Sequence, residues 1–184
     1  MGILRDFDLS TYGCTVYVET GTGIGQSMSK AVPHFSRYYT VDMDPKWTQS
    51  ISNKYPFVKA TTSLSIPALE KWLKYDLLPT DRVLFFLDAH FPDADFNGAD
   101  YNVHAPNAVP LKEELEMIHH YRNFCNDYII CDDARIYLEG PFQNGNYPGA
   151  HLGGGIGFIE KLFPNKVSVD WREEGYLLID NRQT

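Results

Sequence analysis

The chain has 184 residues, with 16 Lys+Arg against 24 Asp+Glu, a net charge of −8, and 43% of its residues are hydrophobic. That length suits one domain, and the apolar share is enough for a packed core, which excludes a disordered chain. Lys and Arg are scattered singly, so no basic face exists for a phosphate backbone, and nucleic acid is excluded as a partner. The longest apolar run, Val83–Leu87, falls far short of the roughly 20 residues that span a bilayer, so no membrane partner is expected. Cys14, Cys125 and Cys131 form no CxxC pair, and no secretory signal pattern is visible. An intracellular, cytoplasmic protein with reduced thiols is expected.

Strand-like and helix-like segments alternate along the chain. Residues 15–19 (TVYVE), 38–42 (YYTVD), 83–88 (VLFFLD) and 128–132 (YIICD) are short apolar, β-branched or aromatic runs. Their continuity predicts strands covered on both faces, as in a parallel sheet. Helical spacing marks residues 25–32, 45–53, 66–75 and 110–124. In the last of these, Leu111, Leu115, Ile118 and Arg122 step by three or four, and Pro110 suits a first turn. Residues 156–163 predict a helix. Residues 166–170 (KVSVD) and 176–180 (YLLID), joined through Glu174-Gly175, predict an antiparallel hairpin that closes the sheet. The expectation is one doubly wound α/β domain over residues 1–184, with about seven mostly parallel strands and helices on both faces. It can also be a domain cut from a larger protein with covalent neighbours, or a homo-oligomer. Residues 91–109 form the one long irregular stretch, and such loops are usually functional.

The first strand ends in Glu19-Thr20-Gly21-Thr22-Gly23-Ile24-Gly25, just before a helix. Glycines at a strand-to-helix turn let backbone approach a ligand, and the helix N-terminus favours anionic groups. The dinucleotide fingerprint G-x-G-x-x-G would need glycine where Gln26 stands, and no Gly-Lys-Ser/Thr of a phosphate-binding loop is present. Asp42 closes the second strand, where a carboxylate can accept both hydroxyls of a ribose. Its neighbour Asp44, followed by Pro45, is expected to cap the next helix instead.

Two further clusters close later strands: Asp88-Ala89-His90, and Asp132-Asp133-Ala134-Arg135. Adjacent parallel strands lie about 5 Å apart, so Asp88, Asp132 and Asp133 would share one pocket. Three carboxylates there repel one another unless a divalent cation sits between them. All-oxygen ligation suits Mg2+, with Mn2+ or Ca2+ as alternatives. His90 lies two residues beyond Asp88 and is a candidate general base.

The segments VETGTGIG, VDMD, FFLDAHF and IICDDAR, in this order and spacing, resemble the class I S-adenosylmethionine-dependent methyltransferases. They are similar to the metal-dependent sugar O-methyltransferases of macrolide and aminocoumarin biosynthesis, with related domains in bacterial, phage and giant-virus glycan pathways. The resemblance implies a Rossmann-like sheet and places a cation on Asp88, Asp132 and Asp133, with His90 as base. It places S-adenosylmethionine on Glu19, Thr20, Gly21, Thr22, Gly23 and Asp42, near Asp88; Thr62 and Ser63 are expected beside the adenine. Catechol-type methyltransferases carry Asp-Asn on the fifth strand, so Asp132-Asp133 points to the sugar branch.

Smaller features complete the reading. Residues 93–98 (DADFNG) imitate the start of an EF-hand loop, but position twelve is His104 rather than Glu, so an acidic substrate lid is the better expectation. Asp93, Tyr101 and His104, with Arg135 and His151, are expected to line the acceptor pocket. Arg135 can equally pair with a neighbouring carboxylate. Residues 153–157 (GGGIG) follow no strand directly and are expected to form a connection. The expected activity is transfer of a methyl group to a hydroxyl of a sugar such as a deoxyhexose. A metal-dependent hydrolase or hydroxylase-like enzyme using the same carboxylates, and a non-catalytic module of this fold, stand as alternatives.

Overall fold

The computed structural model describes residues 4–90, 108–147 and 155–182. Seven strands form one sheet in the order β3-β2-β1-β4-β5-β7-β6. They are β1 (Val16–Thr20), β2 (Arg37–Asp42), β3 (Lys59–Thr62), β4 (Val83–Leu87), β5 (Tyr128–Cys131), β6 (Val167–Asp170) and β7 (Tyr176–Asp180). The first five run parallel to one another, and β7 runs antiparallel to both β5 and β6. This is the doubly wound sheet with a C-terminal antiparallel hairpin that the sequence predicts. The helices are α1 (Gln26–Ala31), α2 (Pro45–Lys54), α3 (Ser65–Tyr75), α4 (Leu111–Arg122) and α5 (Gly157–Leu162), and 3-10 turns at Leu4–Asp6 and Leu9–Tyr12 precede β1. No helix among the described residues is long and apolar enough to cross a membrane.

Every residue of β1, β4 and β5 is buried, because helices cover both faces. Alternation divides their side chains. Val16, Val18, Phe85, Leu87 and Ile129 join Leu69, Trp72, Leu115 and Ile118 of α3 and α4 in one core. Tyr17, Leu84, Phe86 and Ile130 join Met28 and Ile51 of α1 and α2 in the other. At the sheet's amino-terminal edge, buried Arg122 donates from Nε to Asp127 Oδ2 at 2.6 Å and from Nη2 to Oδ1 at 2.9 Å, tying the end of α4 to β5. All three cysteines are buried and unbridged.

Two boundaries differ from the sequence expectation. Strand β3 (KATT) has no apolar run, because it is an edge strand whose residues are half-buried or exposed; only its pairing to β2 defines it. Pro110 is the N-cap of α4, and the helix ends at Arg122.

The strand order changes direction at β1, with β2 on one side and β4 on the other. Doubly wound folds bind ligands at the carboxyl ends of the strands on either side of such a switch.

Candidate active site

Gly21 has φ +80°, and a Cβ there would stand 2.5 Å from the backbone oxygen of Asp88. Glycine is therefore required both by the left-handed backbone and by the approach of the β1 loop to the end of β4. Beneath this loop Glu19 is 1% exposed. Its Oε1 accepts from the Tyr17 hydroxyl at 3.1 Å and its Oε2 from Thr40 at 2.7 Å, while Thr40 and Thr22 share a hydrogen bond of 2.6 Å. Burial raises its pKa to about 8 against the opposing pull of those hydroxyls. Glu19 thus faces inward and supports the loop.

Asp42 reaches the loop from β2. Its Oδ2 accepts from the Gly23 amide and its Oδ1 from the Asp44 amide, each at 2.9 Å. Asp44 caps α2, accepting from Lys46 N at 2.8 Å with Pro45 following, in the role expected from the sequence. Ser63 N donates to Asp42 O at 3.0 Å, and the Thr62 hydroxyl bonds Thr48 at 2.6 Å. Ile24, Met43 and Leu64, which follow β1, β2 and β3 in the chain, are exposed.

The strand ladder runs one residue past β4 and β5: Asp88 N donates to Thr20 O and Asp132 N to Leu87 O, both at 3.0 Å. This register brings ligand atoms of Asp88, His90 and Asp132 within 4.8 Å of one another, spacing at which they could hold a metal ion. Asp132 is 3% exposed, and neither of its carboxyl oxygens has a hydrogen-bond donor among the described residues. Burial, then the neighbouring Asp133 charge, pushes its pKa up to about 6. Asp88 is raised well above the carboxylate range by burial and by the facing Asp132. A buried carboxyl without a donor, faced by that of Asp88, fits a bound divalent cation, because its charge would supply what the protein withholds.

Asp133 differs. It follows β5 at φ +53°, and its Oδ2 lies 2.8 Å from His90 Nε2 while its Oδ1 accepts from Arg135 Nε at 3.1 Å. Burial alone would raise its pKa, but the His90 hydrogen bond and charge, with Arg135, outweigh that and lower it. The other ring nitrogen, Nδ1, is 3.5 Å from Asp88 Oδ1. Arg135 is thus brought to Asp133, as one of its two expected roles requires. Asp93, Tyr101, His104 and His151 lie outside the described residues.

One acidic side chain escaped the sequence reading. Glu114, in the first turn of α4, is 1% exposed, and its Oε1 has no hydrogen-bond partner among the described residues. Burial raises its pKa to about 7 despite the nearby Ser65 and Thr20 hydroxyls and His90. The signal was present: residue 114 lies on the apolar stripe of Leu111, Leu115 and Ile118, where a glutamate is anomalous.

No protein-family model matches the chain, and no curated protein matches it in sequence. The solved structures it resembles define the fold as that of class I S-adenosylmethionine-dependent methyltransferases. An O-methyltransferase of Bacillus cereus, solved with S-adenosylhomocysteine, aligns at TM-score 0.60 and 15% identity, over 92% of this chain and 75% of that one. An O-methyltransferase of Streptomyces achromogenes involved in tomaymycin synthesis, solved with S-adenosylmethionine, aligns at TM-score 0.63 and 14% identity, over 93% and 74%. An N-methyltransferase of Bradyrhizobium japonicum aligns at TM-score 0.53 and 11% identity, over 95% and 91%. The shared fold therefore serves more than one acceptor atom.

Proposed function

We propose that the chain is an S-adenosylmethionine-dependent O-methyltransferase that uses a divalent cation, Mg2+ or Mn2+, and methylates a hydroxyl of a sugar or glycan in the cytoplasm. The observation that carries this reading is the meeting of two half-sites: Gly21 packs the cofactor-type loop against Asp88, beside the donorless carboxyl of Asp132. S-adenosylmethionine is supported by the ligands of the fold's relatives and by Asp42 at the tip of β2. The sugar acceptor is supported by the resemblance of the Asp132-Asp133 segment to the sugar branch.

In this reading Asp88 and Asp132 would hold the cation, which when bound lowers the pKa of a coordinated hydroxyl. Asp42, at the carboxyl end of β2, would accept from the ribose hydroxyls. His90 would take the acceptor's proton. Positioning of both substrates by the two half-sites would supply much of the rate, an effect worth roughly 7–11 kcal/mol where geometry is well held. The test is methyl transfer from labelled S-adenosylmethionine to a panel of deoxyhexose acceptors, with EDTA and with Mg2+ restored. Transfer abolished by chelator and regained with Mg2+ is expected. Full transfer in EDTA would refute the cation, and thermal stabilisation by Mg2+ without any by S-adenosylmethionine would favour the hydrolase alternative.

A further inference from the structure

Consecutive residues of a strand point to opposite faces, so Asp132 and Asp133 can converge only where the backbone departs from the strand. It does so at Asp133, whose φ of +53° opens a 3-10 turn at Ala134–Ile136. That turn is docked on the β6–β7 connection: Ala134 N donates to Gly175 O at 2.9 Å and Arg135 N to Glu174 O at 3.2 Å. The Arg135 guanidinium stands between Asp133 and Glu174 Oε1, 3.9 Å from the latter, and Asn144 Nδ2 donates to that same oxygen at 2.8 Å. The Asp133 carboxylate is therefore held from the hairpin side and is already met by Arg135 and the His90 ring, whereas both oxygens of Asp132 lack a donor among the described residues.

We infer that Asp133 is a positioning residue rather than a cation ligand: its carboxylate accepts the Nε2–H of His90 and so turns the basic Nδ1 toward Asp88. The inference rests on the proposed cation-assisted methyl transfer and alters its ligand set, leaving Asp88 and Asp132 as the protein carboxylates of the cation. A neutral imidazole carries one proton, and the hydrogen bond at one nitrogen decides which nitrogen keeps the lone pair. With Nε2–H directed at Asp133, the lone pair is on the nitrogen 3.5 Å from Asp88 Oδ1, on the side where a cation-bound hydroxyl would lie.

The test uses the full chain and two variants, Asp133→Asn and Asp132→Asn. Asparagine tolerates the left-handed backbone at residue 133, and its amide can donate to His90 Nε2, which would drive the ring proton to Nδ1. Long-range proton–nitrogen spectra of histidine-labelled protein, recorded well above the ordinary histidine pKa range, should show the Nε2–H tautomer in the wild type and Nδ1–H in Asp133→Asn. Titration with Mn2+ alone should show an affinity changed by less than about tenfold in Asp133→Asn and lost in Asp132→Asn. Turnover of Asp133→Asn should fall roughly 10²–10⁴-fold with acceptor KM little changed, the signature of a misplaced ring proton. An Nδ1–H ring in the wild type, a tautomer unmoved by Asp133→Asn, or loss of Mn2+ binding as complete as in Asp132→Asn would each overturn the inference. If no acceptor is methylated by any of the three proteins while the tautomer switches, the proposed reaction falls and the dyad stands.

Discussion

Glu19→Gln tests the support beneath the β1 loop through the dependence of stability on pH. The wild-type carboxyl has a pKa near 8 in the folded chain against an ordinary value of 4.5, so the native state holds a proton that the unfolded state releases. For a carboxyl raised on folding, stability is greatest below the unfolded value and falls as pH rises toward the folded one. At about 1.4 kcal/mol per unit, the loss between about pH 6 and about pH 8 is near 2 kcal/mol, the last part being reduced as the folded group itself ionises. Glutamine reproduces the neutral acid: its oxygen can accept from one of the two hydroxyls of Tyr17 and Thr40, and its amide can donate to the other. Urea unfolding of both proteins at the two pH values isolates the Glu19 contribution, since Glu114 and Asp132 titrate alike in each and Glu19 is the weakest of the influences on Asp88. Wild type should lose about 2 kcal/mol more than the variant over this interval. Equal losses would show that Glu19 is ionised throughout and that the reasoning from burial is wrong.

Asp132→Asn should abolish Mn2+ binding yet raise the stability of the chelated protein by about 1–3 kcal/mol above about pH 7, because the raised pKa marks a carboxylate ionised at a loss; denaturant melts in EDTA measure it, and a drop would refute it. Asp42→Ala should weaken S-adenosylmethionine binding by about 1–3 kcal/mol, the scale of hydrogen bonds to a charged group, as read by calorimetry. Unchanged affinity would remove Asp42 from the cofactor. Gly21→Ala should destabilise the fold by roughly 1–3 kcal/mol through its left-handed backbone and, by displacing Asp88, weaken Mn2+ and S-adenosylmethionine together; independent loss of only one would contradict the packing of the two half-sites.

The parts of this architecture written in local sequence were those whose cause is local. Runs such as VLFFL and YIIC announce strands buried on both faces, and Asp44-Pro45 announces a cap. Strand β3 was illegible because its identity lies in pairing with β2, and residues KATT at an edge need no apolar pattern. The gathering of Asp88, His90 and Asp132 followed from strand order, whereas the contact of Asp133 with His90 did not. It depends on a left-handed backbone at 133 and on a hairpin about forty residues further along, which no local pattern encodes. Glu114 was hidden differently: the helix was read from its apolar positions, and the acid among them was passed over.

The strand that closes the sheet last in chain order, β7, is an interior strand, paired to β5 on one side and β6 on the other. Until residues 176–180 are in place, β5 presents an unpaired edge, and Ala134 and Arg135 lack the carbonyls of Gly175 and Glu174 on which their turn rests. During synthesis, strands β1 to β3 can pair with one another while the carboxylate half waits for chain made almost fifty residues later. The two half-sites would then mature at different times, and a nascent chain halted before β7 would present an open sheet edge, a template for pairing with other chains.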